Sequence, residues 1–96
     1  MTIEQLLQEK REVIQRIAAQ HGASNVRVFG SVARHEARAD SDIDLLIDAG
    51  PTTSSWFPAG LILDLEDLLG CKVDVVTEKA LHPEMRERVL REAVPL

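Results

Sequence analysis

The sequence predicts an α/β (α+β) protein in which a small mixed β-sheet of about three strands is flanked by helices. Segments with apolar residues at helical spacing alternate along the 96-residue chain with three short runs of β-forming residues. This length suits one compact domain, residues 1–96, built around a single core. Because the chain has only two Phe and one Trp, we expect that core to be aliphatic.

The elements can be placed in order from their start and stop signals. Thr2 and Gln5 suit a capping box that opens a helix, and helical spacing of apolar residues continues to Ala18, shortly before Gly22. After this helix we expect a strand at residues 26–29, a short helix at residues 31–37 with Ser31 as N-cap, and a strand at residues 43–47. A loop at residues 49–58, a helix at residues 59–69 and a strand at residues 71–77 should follow, and Pro83 should open a last helix.

The composition excludes several classes of function. The chain has 11 basic and 16 acidic side chains and a net charge of -5, so we expect no direct binding of duplex nucleic acid. The single cysteine, Cys71, excludes an intrachain disulfide and a cysteine-based zinc site. The N-terminus lacks a signal-peptide pattern and no apolar run approaches the roughly 20 residues of a membrane span. We therefore expect a cytoplasmic protein.

Three aspartates lie where strand propensity disfavours them, and this indicates a metal site. Asp42 and Asp44 open the second predicted strand and point to one face, about 6.5 to 7 Å apart. Two carboxylates at that distance repel by roughly 2 kcal/mol at an effective dielectric constant near 20. Asp74 lies between Val73 and Val75, an apolar setting that an ionised group avoids unless it is compensated. Mg²⁺ would offset these costs, and paired metal ions are the usual device for displacement at phosphorus.

Gly30 and Ser31 join the first strand to the short helix, a position suited to a phosphate group. Glycine lets the backbone approach a ligand closely, Ser31 adds a hydroxyl donor, and Arg34 lies one helical turn further on. Each feature alone has an ordinary explanation: a helix cap, a solvated loop–strand junction, an edge-strand acid or a surface arginine. Their conjunction in one short chain favours a functional site.

This combination resembles the motif of the polymerase-beta-like nucleotidyltransferase superfamily, which is Gly-Ser followed by Asp-x-Asp and a later Asp. The small size and residues 72–77 and 89–96 look more specifically like the minimal nucleotidyltransferases (MNT), which are commonly antitoxins paired with HEPN-domain toxins. The resemblance covers about residues 24–96, and His35 stands where the family often has glycine. It implies the nucleotidyltransferase fold, with the first two strands antiparallel and the second and third parallel, so that Gly30 meets the aspartates.

The resemblance also implies a reaction and a partner. The three aspartates would hold two Mg²⁺ ions, with Asp74 accepting the proton of the incoming hydroxyl, while Gly30, Ser31 and Arg34 would bind the phosphates of ATP. The expected activity is transfer of AMP from ATP to a tyrosine of a HEPN ribonuclease toxin with which the chain forms a hetero-oligomer.

Two alternatives remain open at this point. A catalytically weak MNT module could neutralise the toxin by binding and masking it. A nucleotidyltransferase for small molecules is less favoured, because such enzymes need a further domain to bind the acceptor. Trp56 and Phe57 in the loop, and the apolar residues 94–96, predict either a partner surface or, for Trp56, a lid over the sheet.

Overall fold

A four-stranded sheet with helices packed against it forms the centre of the molecule, for which a computed structural model describes residues 1–38 and 40–96. The strands are β1 (Ala23–Phe29), β2 (Ile43–Ala49), β3 (Val73–Thr77) and β4 (Val94–Pro95). The helices are α1 (Ile3–Glu9), α2 (Arg11–Gln20), α3 (Gly30–Ala33), α4 (Ala59–Leu69) and α5 (Pro83–Glu92), with one 3-10 turn at Glu78–Ala80.

The strand order in the sheet is β3-β2-β1-β4. β1 and β2 are antiparallel, and α4 is the crossover that makes β2 and β3 parallel. The predicted fold class and the predicted directions of the first three strands are therefore confirmed. The mixed sheet brings the end of β1 and the starts of β2 and β3 to one edge.

The fourth strand was missed, because a two-residue strand ending an apolar tail carries no period-two pattern. β4 pairs antiparallel with β1 through Val28 and Val94, and the N–H of Leu96 donates to the carbonyl of Val26 at 3.1 Å. This segment completes the sheet, although Val94 stays half exposed, and its role as a partner surface stays a prediction.

The core is aliphatic, as the composition predicts. Phe29 is the one aromatic side chain that is buried among the described residues, and Phe57 packs against the core only in part. The largest side chains with almost no exposure come from one face each of α2, α4 and α5 and from β2: Ile14, Ile43, Leu45, Leu46, Ile47, Leu61, Leu65 and Val89. β2 is buried along most of its length because helices cover both of its faces.

The N-terminal helix is two helices instead of the single one that the sequence predicts. The capping box is present, with Thr2 accepting from the N–H of Gln5 at 3.1 Å. The chain leaves helical geometry at Lys10 and resumes it in α2. Apolar spacing does not detect this break, because Leu7 and Ile14 keep helical spacing across it and are both buried.

The other helix and strand boundaries differ less from the predicted ones. β1 begins at Ala23, before the predicted start, β2 continues to Ala49, and β3 begins at Val73 instead of residue 71. α4 has the predicted bounds, and Gly70, which follows it, adopts the left-handed conformation. α5 begins at Pro83 as predicted. Over residues 1–38 and 40–96, we find no helical segment with the length and hydrophobicity that crossing a membrane demands.

Candidate active site

A cleft of about 460 Å³ opens at the edge where β1 ends and β2 and β3 begin. It is lined by Gly30, Ser31 and Arg34 from the turn after β1 and by Asp44 and Asp74 from β2 and β3. α5 and the segment before it close the third side with His82, Met85, Val89 and two charged residues, Arg88 and Glu92. The structure thus brings together five of the six residues that the sequence predicts as site residues.

Asp44 is at the centre of this arrangement. It is paired with Asp74 across the parallel β2–β3 ladder and with Phe29 across the antiparallel β1–β2 ladder. Gly30 follows Phe29 directly and has a φ of 76°, in the left-handed region. A Cβ atom at Gly30 would collide with the carboxylate of Asp44. Glycine is therefore required here both for the backbone turn and for its close approach to the aspartate.

The electrostatics of the site are set by neighbouring acids. Partial burial, then the negative charges of Asp74 and Asp42, raise the pKa of Asp44. Asp42 itself precedes β2, is exposed and lies outside the residues that line the cleft. Within the described ranges, no group of three or more carboxylate, His or Cys side chains is close enough to form a ready-made metal site.

Asp74 is not in the apolar setting that its sequence neighbours suggest. Val73 and Val75 are buried, while Asp74 between them is exposed on the opposite face of β3. Neighbours in a strand point to opposite faces, so the flanking valines pack on the core and leave the carboxylate to face the cleft. The argument from burial at Asp74 is wrong, whereas its predicted position beside Asp44 is correct.

The prediction that Ser31 caps a helix through residue 37 is also wrong. α3 begins at Gly30, its N-cap position is Phe29, and no side chain caps it. The helix begins earlier because the chain turns at Gly30, directly after the strand. It ends early because His35 adopts a φ of 59°, a left-handed conformation that favours glycine. Ser31 lines the cleft and its side chain is not used in a cap.

Glu92 is the residue of the site that sequence reasoning missed. The N–H of Gly30 donates to Oε2 of Glu92 at 2.7 Å, and Nη1 of Arg34 donates to Oε1 at 2.6 Å. Burial opposes the charge of Glu92, but these hydrogen bonds and the charge of Arg34 outweigh it and lower the pKa of the carboxyl. The only available signal was the position of Glu92 at the end of the last helix, and nothing in the sequence relates that helix to Gly30.

A mixed sheet that holds a Gly-Ser turn against paired aspartates defines the nucleotidyltransferase class. The chain matches the nucleotidyltransferase domain family over residues 10–96 and belongs to that family. It is a nucleotidyltransferase enzyme.

The names of similar proteins agree with this assignment. Protein adenylyltransferase MntA of Thermococcus cleftensis is 38% identical over 89 residues, which cover 93% of this chain and 86% of the relative. A Methanocaldococcus jannaschii protein with a provisional protein adenylyltransferase name is 41% identical over 85 residues, covering 88% of this chain and 90% of the relative.

Solved structures confirm the fold. One that is provisionally described as a minimal nucleotidyltransferase has a TM-score of 0.85 and 52% identity, and covers 100% of this chain and 97% of that chain. A toxin–antitoxin complex with AMP-PNP has a TM-score of 0.72 and 21% identity, and covers 91% of this chain and 69% of that chain. The second similarity is one of fold alone.

Proposed function

We propose that this chain is the antitoxin of a HEPN/MNT toxin–antitoxin pair and that it acts as a protein adenylyltransferase. It would transfer AMP from ATP to a tyrosine hydroxyl of the HEPN ribonuclease toxin and so silence it. The observation that carries this proposal is the pairing of Asp44 with Asp74 in a cleft that Gly30 also lines, directly beside Asp44. The names of the relatives support a protein as the acceptor.

The acids of the cleft fit Mg²⁺. Burial, and then the negative charges of Asp74 and Asp42, raise the pKa of Asp44, and carboxylate oxygens are ligands that this cation prefers. Asp42 and Asp44 would hold two ions, and Asp74 would complete the site. Bound there, Mg²⁺ would polarise the α-phosphoryl group and neutralise charge on the leaving pyrophosphate.

The protein's own groups would orient the substrates and move one proton. The Gly30 N–H, the Ser31 hydroxyl and the Arg34 guanidinium would bind the β- and γ-phosphates. The carboxylate of Asp74 would accept the proton of the tyrosine hydroxyl. The tyrosine oxygen then bonds to the α-phosphorus, and the bond from that phosphorus to the pyrophosphate oxygen breaks.

Masking of the toxin without catalysis is the second candidate. It is favoured by Trp56, an aromatic side chain that is 86% exposed and therefore available as an anchor. Under both readings we propose that residues 1–96 act as one minimal nucleotidyltransferase domain in the cytoplasm.

Incubation of the purified chain and its candidate toxin with Mg²⁺ and ATP labelled at the α-phosphate tests the proposal. We expect the label to appear on the toxin, and ATP labelled at the γ-phosphate to leave the toxin unlabelled. Asp44→Asn should lose at least about a hundredfold in rate, as expected when charge stabilisation in the transition state is removed. Toxin neutralisation without label would instead favour masking.

A further inference from the structure

The carboxylate of Glu92 lies where a nucleotide phosphate is expected. It accepts hydrogen bonds from the Gly30 N–H at 2.7 Å and from Nη1 of Arg34 at 2.6 Å. The side chain is only 14% exposed, although it comes from the last turn of α5, which is 62 residues from Gly30 in sequence. Two of the three donors that the proposed function assigns to phosphate, the Gly30 N–H and the Arg34 guanidinium, are therefore already engaged by an anion of the chain itself.

A phosphate and this carboxylate compete for the same donors. A backbone N–H has one hydrogen, and a charge-assisted hydrogen bond to a carboxylate is of the same kind as one to a phosphate. Charge adds to the competition, because the pKa of Asp44, which is raised first by burial and then by Asp74 and Asp42, is raised further by the negative charge of Glu92. A triphosphate that enters beside an ionised Glu92 meets both an occupied donor and a like charge.

The structure also offers a place for the displaced side chain. Arg88 lies one helical turn before Glu92 on α5 and lines the same cleft. It makes no ion pair within residues 1–38 and 40–96, and its charge already favours the ionised form of Glu92. A rotation of the Glu92 side chain along its own helix would therefore exchange Arg34 for Arg88.

We propose that Glu92 is a built-in competitor of the nucleotide: it occupies the Gly30 N–H and Arg34 and must leave them before a triphosphate binds. This inference rests on the proposed function, which assigns those donors to the phosphates. Glu92 thereby sets the affinity of the site for ATP and keeps its donors paired when no nucleotide is present.

Calorimetric titration with AMP-PNP in the presence of Mg²⁺ tests the proposal on Glu92→Gln. The amide keeps an acceptor oxygen for Gly30 but removes the charge, so we expect AMP-PNP to bind on the order of tenfold more tightly than to the wild type. Glu87→Gln is the matched control, because it removes the same charge from an exposed position of α5 outside the cleft. This control should bind like the wild type.

Equal or weaker binding by Glu92→Gln, with clear binding by the wild type, would overturn the inference and make Glu92 a positioning residue for Gly30 and Arg34. Absence of binding by both proteins would instead contradict the proposed function. A second readout needs no variant: the carboxyl carbon resonance of Glu92 should shift when AMP-PNP is added to the wild type. If that resonance stays unchanged at saturation, Glu92 has not moved and the inference fails.

Discussion

Asp44 shows how a single residue of this site is held in an unfavourable state. Burial and three neighbouring acids, Asp74, Asp42 and Glu92, raise its pKa, so the folded chain binds a proton at Asp44 more readily than the unfolded chain does. At neutral pH the ionised carboxylate therefore destabilises the fold, and this penalty is relieved as the pH falls through the raised pKa. The proposed binding of Mg²⁺ would offset this penalty.

Asp44→Asn should raise the melting temperature by a few degrees at pH 7 without Mg²⁺, because it removes that penalty. The gain should shrink as the pH is lowered through the raised pKa of Asp44, and added Mg²⁺ should stabilise the wild type more than the variant. Asp67→Asn, an exposed change on α4, controls for net charge. Calorimetric scans across the pH range check this, and a variant that melts below the wild type at pH 7 would contradict it.

Among individual residues, the sequence predicts those whose role follows from a local pattern and misses those whose role depends on contacts with distant parts of the chain. Asp42, Asp44 and Gly30 are recognisable because their spacing and strand positions are local. Glu92 is not recognisable from the sequence, because its partners Gly30 and Arg34 are 62 and 58 residues away in the chain. Its own sequence neighbours are typical of a solvated helix end. The role of Asp42 in metal binding stays a prediction.

The loop at residues 50–58 is the element whose structure the sequence describes least. Its backbone is tied to the end of α2, where the N–H of Ser54 donates to the carbonyl of His21 at 3.1 Å. The ring of His21 continues this link, with Nδ1 2.6 Å from Oγ of Ser54 and Nε2 2.7 Å from Oδ2 of Asp64 on α4. An ionised carboxylate only accepts, so Nε2 of His21 donates to Asp64.

Ser54→Ala should lower the free energy of unfolding by about 1 kcal/mol, because it removes one half-buried side-chain hydrogen bond. Amide hydrogen exchange should quicken at the loop and at the first turn of α4, while β2 and β3 keep their protection. Ser55→Ala, one residue further along at an exposed position, is the control. Unchanged exchange in the loop would mean that Ser54 and His21 do not hold it.

Among the larger elements, those with a complete pattern and clear end signals were placed well. α4 has a buried stripe and a terminal glycine, and its bounds agree with the prediction. The break at Lys10 and the start of α3 were missed, because both are set by how the chain packs and turns and leave the apolar spacing unchanged.

For the whole molecule, the relative direction of the first two strands could be predicted, because Gly30 and Asp44 meet only if β1 and β2 are antiparallel. What no pattern revealed is which apolar side chains remain outside the core. Trp56 is 86% exposed with a φ of 64°, so it does not cover the sheet, whereas its neighbour Phe57 packs against the core. The lid interpretation of Trp56 is therefore wrong, and its role as a toxin contact stays a prediction.

Trp56→Ala should change the free energy of unfolding by no more than about 0.5 kcal/mol, as exposed positions generally do. If Trp56 anchors the toxin, the same change should weaken the complex by about 2 kcal/mol. Phe57→Ala is the contrasting variant and should lower the melting temperature, since Phe57 is partly buried. Toxin titrations and thermal melts of both variants decide the matter, and wild-type toxin affinity in Trp56→Ala would place the interface on another face.

The central claim is that the cleft between Gly30 and the paired aspartates transfers AMP to a protein. The most direct measurement is the intact mass of the candidate HEPN toxin after incubation with this chain, ATP and Mg²⁺, followed by mapping of the modified residue. We expect the mass of the toxin to increase by whole AMP groups attached to tyrosine, and to stay unchanged with Asp44→Asn. An unmodified toxin that is nevertheless neutralised, or modification that persists in Asp44→Asn, would contradict it.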